Sequence, residues 1–420
     1  MNRSATDAGL TRRPETLIAH PPEWPVYDEI AQQRAAALIR QGRTFDYGYG
    51  AELEELESAF ALRHGRKYAL AVCSGTAALL AAFFALGFGP GDEVIVPDYT
   101  FFSTASPLLL LGVTPVLADA RYPDGTIDPG EVSALIGPRT VGLIMTHLWG
   151  QPCEIATLAQ IAARHNLATI EDCSHAHGST YHGEPVGKAS SAAVFSIGGQ
   201  KAVSGGMGGM LLTDDPDVYS RACLMASFRH RTDLTIQTPG YEPFLYTGLG
   251  GNFRMTPLAA VLAASHLGSL DERVAARQRN LGALLDQVTK LPGLRRVPVA
   301  PGSTTGACYD AVVAVGREAP YQRDELVRRL VAEGLRVRAP ATRPLHQYPV
   351  FRGATADWSE LAGPAGRAAA RANDRAFPRS DDLCGSWIRL PVNFLWDEAG
   401  QIVQPYIEAF RRVLGPGAVD

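Results

Sequence analysis

Residues 68–86 read Tyr-Ala-Leu-Ala-Val-Cys-Ser-Gly-Thr-Ala-Ala-Leu-Leu-Ala-Ala-Phe-Phe-Ala-Leu, and Gly87 follows. Tyr68–Val72 is an apolar run of strand length. Thr76–Leu86 is an apolar run of helix length that Gly87 can terminate. Ser74-Gly75-Thr76 makes the turn between them. The alternation continues outward from this unit. Glu93–Val96 (closed by Pro97), Val141–Thr146, Leu167–Ile170, Ala192–Ser196 and Met210–Thr213 are predicted strands, with Pro115–Leu117 extended. Phe101–Leu111 and Ile155–His165 are predicted helices. Strands alternating with helices of about ten residues imply an α/β domain with a mostly parallel sheet between helices.

Upstream, residues 1–24 are Pro-rich, and Pro25–Gln41 reads as a short helix before a turn-rich stretch. A second helix runs from Ala51 to His64, with Leu53, Leu56, Ala59 and Phe60 on one face and Gly65 as its C-cap. Downstream, Thr256–Leu291 reads as a long helical connector, kinked near Gly268. Beyond it come a strand (Ala311–Val315), a helix (Arg323–Glu333), a strand (Leu335–Arg338) and helices at Gly363–Ala376 and Glu398–Leu414. The expected organisation is an arm with a short helix (1–50), a large domain (51–270) and a smaller C-terminal α+β domain (271–420).

A chain of 420 residues fits a large domain plus a smaller one. Its 46% hydrophobic and 20% charged residues are those of a globular protein with a sizeable core. The net charge of −4 carries no basic footprint for nucleic acid. No apolar run reaches the roughly 18 residues of a membrane span. Met1–His20 has Arg3, Arg12 and Arg13 but no apolar core, so it does not read as a signal peptide, and a cytoplasmic protein is expected. The six cysteines are scattered without a CxxC pair and are expected as buried thiols.

Three segments carry chemistry. The first is Cys73-Ser74-Gly75-Thr76. Gly75 permits close backbone approach to a ligand, and the following helix N-terminus, with the Ser74 and Thr76 hydroxyls, suits a phosphate. Taken alone, such a turn is more often a satisfied N-cap. The second is Glu171-Asp172-Cys173-Ser174-His175-Ala176-His177, at the C-terminal end of a strand, where α/β sheets bind ligands. Asp172 could cap the next turn, or could pair with a pyridinium nitrogen and keep it protonated. Cys173, His175 and His177 are a loose zinc alternative, because no further ligand pair accompanies them. The third is Phe195-Ser196-Ile197-Gly198-Gly199-Gln200-Lys201, followed by a glycine cluster through Gly209. Only four lysines occur among 39 basic residues, and this one lies between a strand end and small residues that leave room for a planar ring. A partly desolvated lysine has a lowered pKa and can act as nucleophile or base. A phosphate cradle, an acid for a ring nitrogen and a lysine for an aldehyde are together the anchors of pyridoxal 5'-phosphate (PLP).

With these motifs the chain resembles the DegT/DnrJ/StrS family of sugar aminotransferases, a branch of the fold-type-I PLP enzymes. Gly91–Phe101, Gly250-Gly251-Asn252-Phe253-Arg254-Met255-Thr256 and Arg343-Pro344-Leu345-His346 extend the resemblance, which covers Gly48 to Leu390. It implies that Lys201 is the Schiff-base lysine and proton shuttle. Asp172 contacts the pyridine nitrogen, Phe101 stacks on the ring and His175 lies near its 3-hydroxyl. Ser74, Gly75, Thr76 and Ser196 hold the phosphate. Asn252 reaches it from a partner subunit, so a homodimer is implied, and His346 lies near the substrate. The implied reaction moves an amino group from L-glutamate or L-glutamine to a keto-sugar, nucleotide keto-sugar or keto-cyclitol. The sequence departs from the pattern at Met207, where the family has Glu, and at Gln200 and Phe253. Two alternatives stand beside it: a PLP-dependent dehydratase or lyase on a sugar-like substrate, and a PLP-binding regulatory protein. Similar dehydratases carry histidine where this chain has Lys201. The Arg229-His230-Arg231 cluster reads as a solvated loop, or as a contact for an anionic substrate.

Overall fold

The computed structural model describes residues 24–46, 49–352, 363–391 and 400–415. Its centre is a seven-stranded sheet of β1 (Tyr68–Val72), β2 (Glu93–Pro97), β3 (Thr114–Ala118), β4 (Thr140–Thr146), β5 (Ala168–Asp172), β8 (Ala192–Ser196) and β9 (Gly209–Thr213), in the order β1-β9-β8-β5-β4-β2-β3. Only β9 runs against its neighbours; the other pairings along the sheet are parallel. Between β5 and β8 lies a small hairpin, β6 (Thr180–Tyr181) and β7 (Glu184–Pro185).

Both faces of the sheet are covered, which is why its strands are apolar throughout instead of alternating. The pleat still sorts the side chains. Ile95, Leu143, Met145 and Phe195 point to one face, with Leu56, Phe60 and Leu158. Val94, Val96, Ile144 and Val194 point to the other, with Leu79 and Phe83 of the helix Gly75–Ala85. That helix is apolar on all sides because it is sandwiched between the sheet and the helix Pro216–Ala226. A second, antiparallel sheet of β10 (Leu294–Arg296), β11 (Asp310–Val315) and β12 (Trp387–Pro391) builds a separate core with the helices Leu270–Val288, Arg323–Ala332 and Val403–Leu414. Leu345, Phe351 and Phe377 return to the core of the large sheet. Asn373 bonds the edge strand β3 with its side chain, accepting from Leu117 N–H (2.9 Å) and donating to Pro115 C=O (3.0 Å). This blunts the open edge. The chain after residue 271 therefore contributes to both bodies. Among the described residues no helix is long and apolar enough to cross a membrane.

Several local expectations change. Phe101–Leu111 is not one helix but a 3-10 turn (Phe102–Thr104) and a helix (Ser106–Leu110), because Pro107 has no N–H to extend the first turn. The connector divides at Ser269 into Pro257–Gly268 and Leu270–Val288. Leu335–Arg338 forms no ladder, only a bridge from Arg338 to Arg389. The helix expected from Glu398 is described only from residue 400 onward and begins at Val403. The Arg229–Arg231 cluster opens a helix (His230–Thr235), and Arg231 is buried, with both Glu57 carboxylate oxygens 3.0 Å from its Nη2. Glu57 also accepts the Ala71 N–H (2.7 Å), so the pair ties three segments together.

Candidate active site

The parallel strands end on one edge of the sheet, where their following loops converge, the usual ligand position of an open α/β sheet. A cavity of about 530 Å³ opens there. Its wall includes Ser74, Gly75, Thr76, Phe101, Asp172, His175, Ser196 and Lys201, so the structure gathers eight of the predicted residues from four separate strand ends and their loops.

At the helix N-terminus, Ser74 Oγ caps the Ala77 N–H (3.1 Å) and Ser74 C=O takes the Ala78 N–H (3.0 Å). The Gly75 and Thr76 N–H groups remain as first-turn donors at the cavity wall, a ready anion site. Gly75 is required by packing: a Cβ there would lie 2.9 Å from Ser196 Cβ. Gly209 is still tighter, with its Cβ position 2.3 Å from Ser74 O, so β9 presses the cradle from behind.

Asp172 ends β5. Its carboxylate accepts from Thr104 Oγ1 (2.8 Å) and from the Ser174 N–H (3.1 Å), and Thr104 is in turn bonded to Thr100 (3.0 Å). Two donors fix its plane while it faces the cavity. Lys201 follows β8 through a turn closed by its N–H on Gly198 C=O (2.9 Å). Its Nζ lies 4.0 Å from the Tyr309 ring centroid. Burial lowers its pKa to about 8, against the opposing pull of Asp172 and Asp310, so near neutral pH a usable fraction of the amine is unprotonated. His175 stacks on Tyr309 (4.2 Å, 8° between planes), and its Nδ1 accepts the Trp149 N–H (3.3 Å), which leaves the proton on Nε2. Burial, with Lys201 nearby, holds it well below the ordinary histidine pKa and therefore neutral.

Two predicted residues lie elsewhere. His346 is buried outside the cavity wall, bonded through Nδ1 to Asp98 (2.8 Å), paired through Nε2 with Asp381 (3.1 Å) and stacked on Phe377. Asn252 is exposed and accepts from Arg254 Nε (3.0 Å), away from this chain's cavity. The zinc alternative is not assembled, since His177 Nε2–H donates to Ser196 C=O (2.9 Å) while His175 faces Trp149 and Tyr309. His147, Glu171 and Cys173 do cluster, but Glu171 is occupied by the Gly187 and Ala189 N–H groups and by His147 Nε2 (3.0 Å). Burial pushes the Cys173 thiol well above its usual pKa, away from the thiolate a metal needs.

Tyr309 and Arg389 were missed. Both line the cavity, yet they come from the second sheet region, more than 100 residues beyond Lys201 in the chain. The buried Arg389 guanidinium pairs with Asp310 and lies 5.6 Å over both Trp149 and Tyr309. Burial raises Asp310 to about 7, opposed by Arg389 and Arg338. No local pattern marks these residues; only the packing of the two sheets brings them to the site.

Anion donors, a fixed carboxylate and a desolvated lysine around one cavity of this size are the fittings of a PLP-dependent enzyme on an α/β scaffold. Residues 27–393 match the DegT/DnrJ/EryC1/StrS aminotransferase family, and the chain belongs to it. It is 33% identical to GDP-perosamine synthase of Caulobacter vibrioides, over 80% of this chain and 88% of that protein. It is 34% identical to L-glutamine:scyllo-inosose aminotransferase of Streptomyces griseus, over 79% and 80%. The solved aminotransferase from Psychrobacter cryohalolentis superposes with a TM-score of 0.80 at 27% identity, covering 94% of this chain and 98% of that one. The protein is thus a PLP-dependent aminotransferase.

Proposed function

We propose that this aminotransferase moves the amino group of L-glutamate or L-glutamine onto the ketone carbon of a sugar, a nucleotide-linked sugar or a cyclitol. The convergence of Lys201, Asp172 and the helix N-terminus at Gly75 on one cavity carries this assignment, and the named activities of the relatives supply the substrate class. Bound PLP supplies an electron-withdrawing ring that stabilises negative charge at the donor's α-carbon. The Gly75 and Thr76 amides, with Ser74 and Ser196 alongside, would hold the phosphate. Asp172 would keep a proton on the ring nitrogen, and neutral His175 would offer its Nε2–H to the ring's oxygen. Phe101, 46% exposed at the cavity mouth, would cover a ring face. Lys201 Nζ would accept the proton from the donor's α-carbon as a general base and, holding it as an ammonium, deliver it as a general acid to the bound cofactor.

Asn252 would complete the phosphate site of a second copy. Its exposure, and that of Met207 (68%) and Tyr246 (65%) on nearby loops, supports a homodimer with shared sites. A small-molecule donor and acceptor in a cytoplasmic enzyme complete the picture. The retained lysine favours amino transfer over the dehydratase alternative.

The test is the visible spectrum of the purified protein with PLP, before and after either donor. A yellow band that bleaches, with one 2-oxo acid released per site, is expected. No band, or a band that neither donor changes, would overturn the proposal.

Arg389 is positioned to bind the donor's carboxylate, because a buried guanidinium facing the cavity offers a planar pair of donors. Arg389→Ala should raise the donor KM roughly 10–150-fold, the equivalent of about 1.5–3 kcal/mol for a charged hydrogen bond. The acceptor KM should stay unchanged. Steady-state kinetics with each substrate varied in turn decide this, and a rise confined to the acceptor KM would reassign Arg389.

A further inference from the structure

The loop that carries Lys201 is rich in glycine and is closed from within by its own hydrogen bonds, among them Lys201 N–H to Gly198 C=O (2.9 Å) and Ile197 N–H to Gly208 C=O (2.9 Å). Gly199 N–H donates to Gly206 C=O (2.8 Å), Gly205 N–H to Ile197 C=O (2.9 Å) and Ser204 Oγ to Gly199 C=O (2.9 Å). Its outward-facing backbone groups are satisfied from elsewhere. Trp24 Nε1 donates to the Lys201 carbonyl itself (2.8 Å). Arg273 donates to the next carbonyl, Ala202 (3.1 Å). Ser204 N–H donates to His266 Nδ1 (3.2 Å).

These outside groups form one assembly. The His266 ring is stacked by Trp24 (4.4 Å) and by Tyr27 (4.6 Å), and Arg273 lies 5.1 Å over Trp24. Because Nδ1 accepts from Ser204, Nε2 bears the proton and donates to Val26 C=O (2.9 Å). His266 thus connects the lysine loop to the N-terminal segment with a donor on one side and an acceptor on the other. Neither Trp24 nor His266 lines the cavity.

We propose that residues 24–28 form a positioning clamp for Lys201, in which the Trp24 indole N–H fixes the lysine carbonyl and so the direction of its side chain over Tyr309. Trp24 is a positioning residue, not a catalytic one. The clamp rests on the proposed role of Lys201, but its first readout needs neither PLP nor substrate. The full chain without cofactor is trace-acetylated with acetic anhydride across a pH series. The Lys201 peptide is quantified by mass spectrometry against exposed Lys67 and Lys290 in the same chain. Asp172, Asp310, Arg389 and His175 face the amine and remain unchanged in the variant.

Trp24→Phe keeps an aromatic ring against His266 but removes the N–H together with the pyrrole half of the indole. The expected result is a shifted labelling profile for Lys201, unchanged profiles for Lys67 and Lys290, and a kcat about tenfold lower at unchanged donor KM. A thermal melt checks that the variant is folded. If it is not, Arg273→Met, which removes the donor to the neighbouring carbonyl, gives the same comparison. Wild-type labelling and wild-type kcat in a folded variant would overturn the clamp and reduce the arm to a docking segment. A shifted profile in a protein that develops no colour with PLP would uphold the clamp while the proposed function fails.

Discussion

Lys201→Ala is expected to lower amino transfer by about four orders of magnitude, the upper range for loss of a positioned proton-transfer group. No other lysine among the described residues lines the cavity; Lys67, Lys188 and Lys290 are all exposed, so none can substitute. The loss should appear in single-turnover release of the 2-oxo acid, and an added small amine should restore part of it. Many turnovers by the variant without added amine would remove Lys201 from its role. A second consequence concerns pH. Burial lowers Lys201 from 10.5 to about 8. In the cofactor-free protein the folded chain therefore releases this proton before the unfolded chain does. Stability contributed at this site rises with pH from about 8 to about 10.5 and is absent below that window. Lys201→Ala should remove that slope from urea melts taken across the same range.

Asp172→Asn should lower kcat by about 10²–10³, comparable with removing one preorganised electrostatic group. The substitution is a clean chemical probe because its neighbours can accept it. Asn Oδ1 can keep the Ser174 N–H, while the Asn Nδ2 group can donate to Thr104 Oγ1, whose hydroxyl turns toward Thr100. What disappears is the negative charge that the proposed role of Asp172 uses to hold a proton on the ring nitrogen. The fall should be in kcat, with cofactor binding changed far less. A wild-type kcat would show that Asp172 only caps the β5 turn.

The contrast between Lys201 and His346 shows which parts of the site were legible in the chain. Lys201, Asp172 and Gly75 each stand at the end of a strand or in the short loop that follows it, and strand ends on one edge of a parallel sheet converge whatever their separation in sequence. His346 carries no such constraint. Once folded it is spent on Asp98 and Asp381, beneath the wall that Tyr348 lines. Arg231 was hidden from the sequence in the same way: a basic triplet looks solvated until Glu57, 174 residues away, is seen to bury with it. Tyr309, Arg389 and Trp24 had no local signature at all.

Apolar run length, pleat periodicity and the glycines at tight turns are properties of neighbouring residues. They were enough to place an α/β sheet, its strand ends and the three motifs at Gly75, Asp172 and Lys201. The tertiary structure alone decided the environment of those motifs. It desolvated Lys201, locked the tautomer of His175 between Trp149 and Tyr309, and carried Arg389 from the second sheet to the cavity. These effects depend on burial and on contacts between remote segments, which no window of sequence contains.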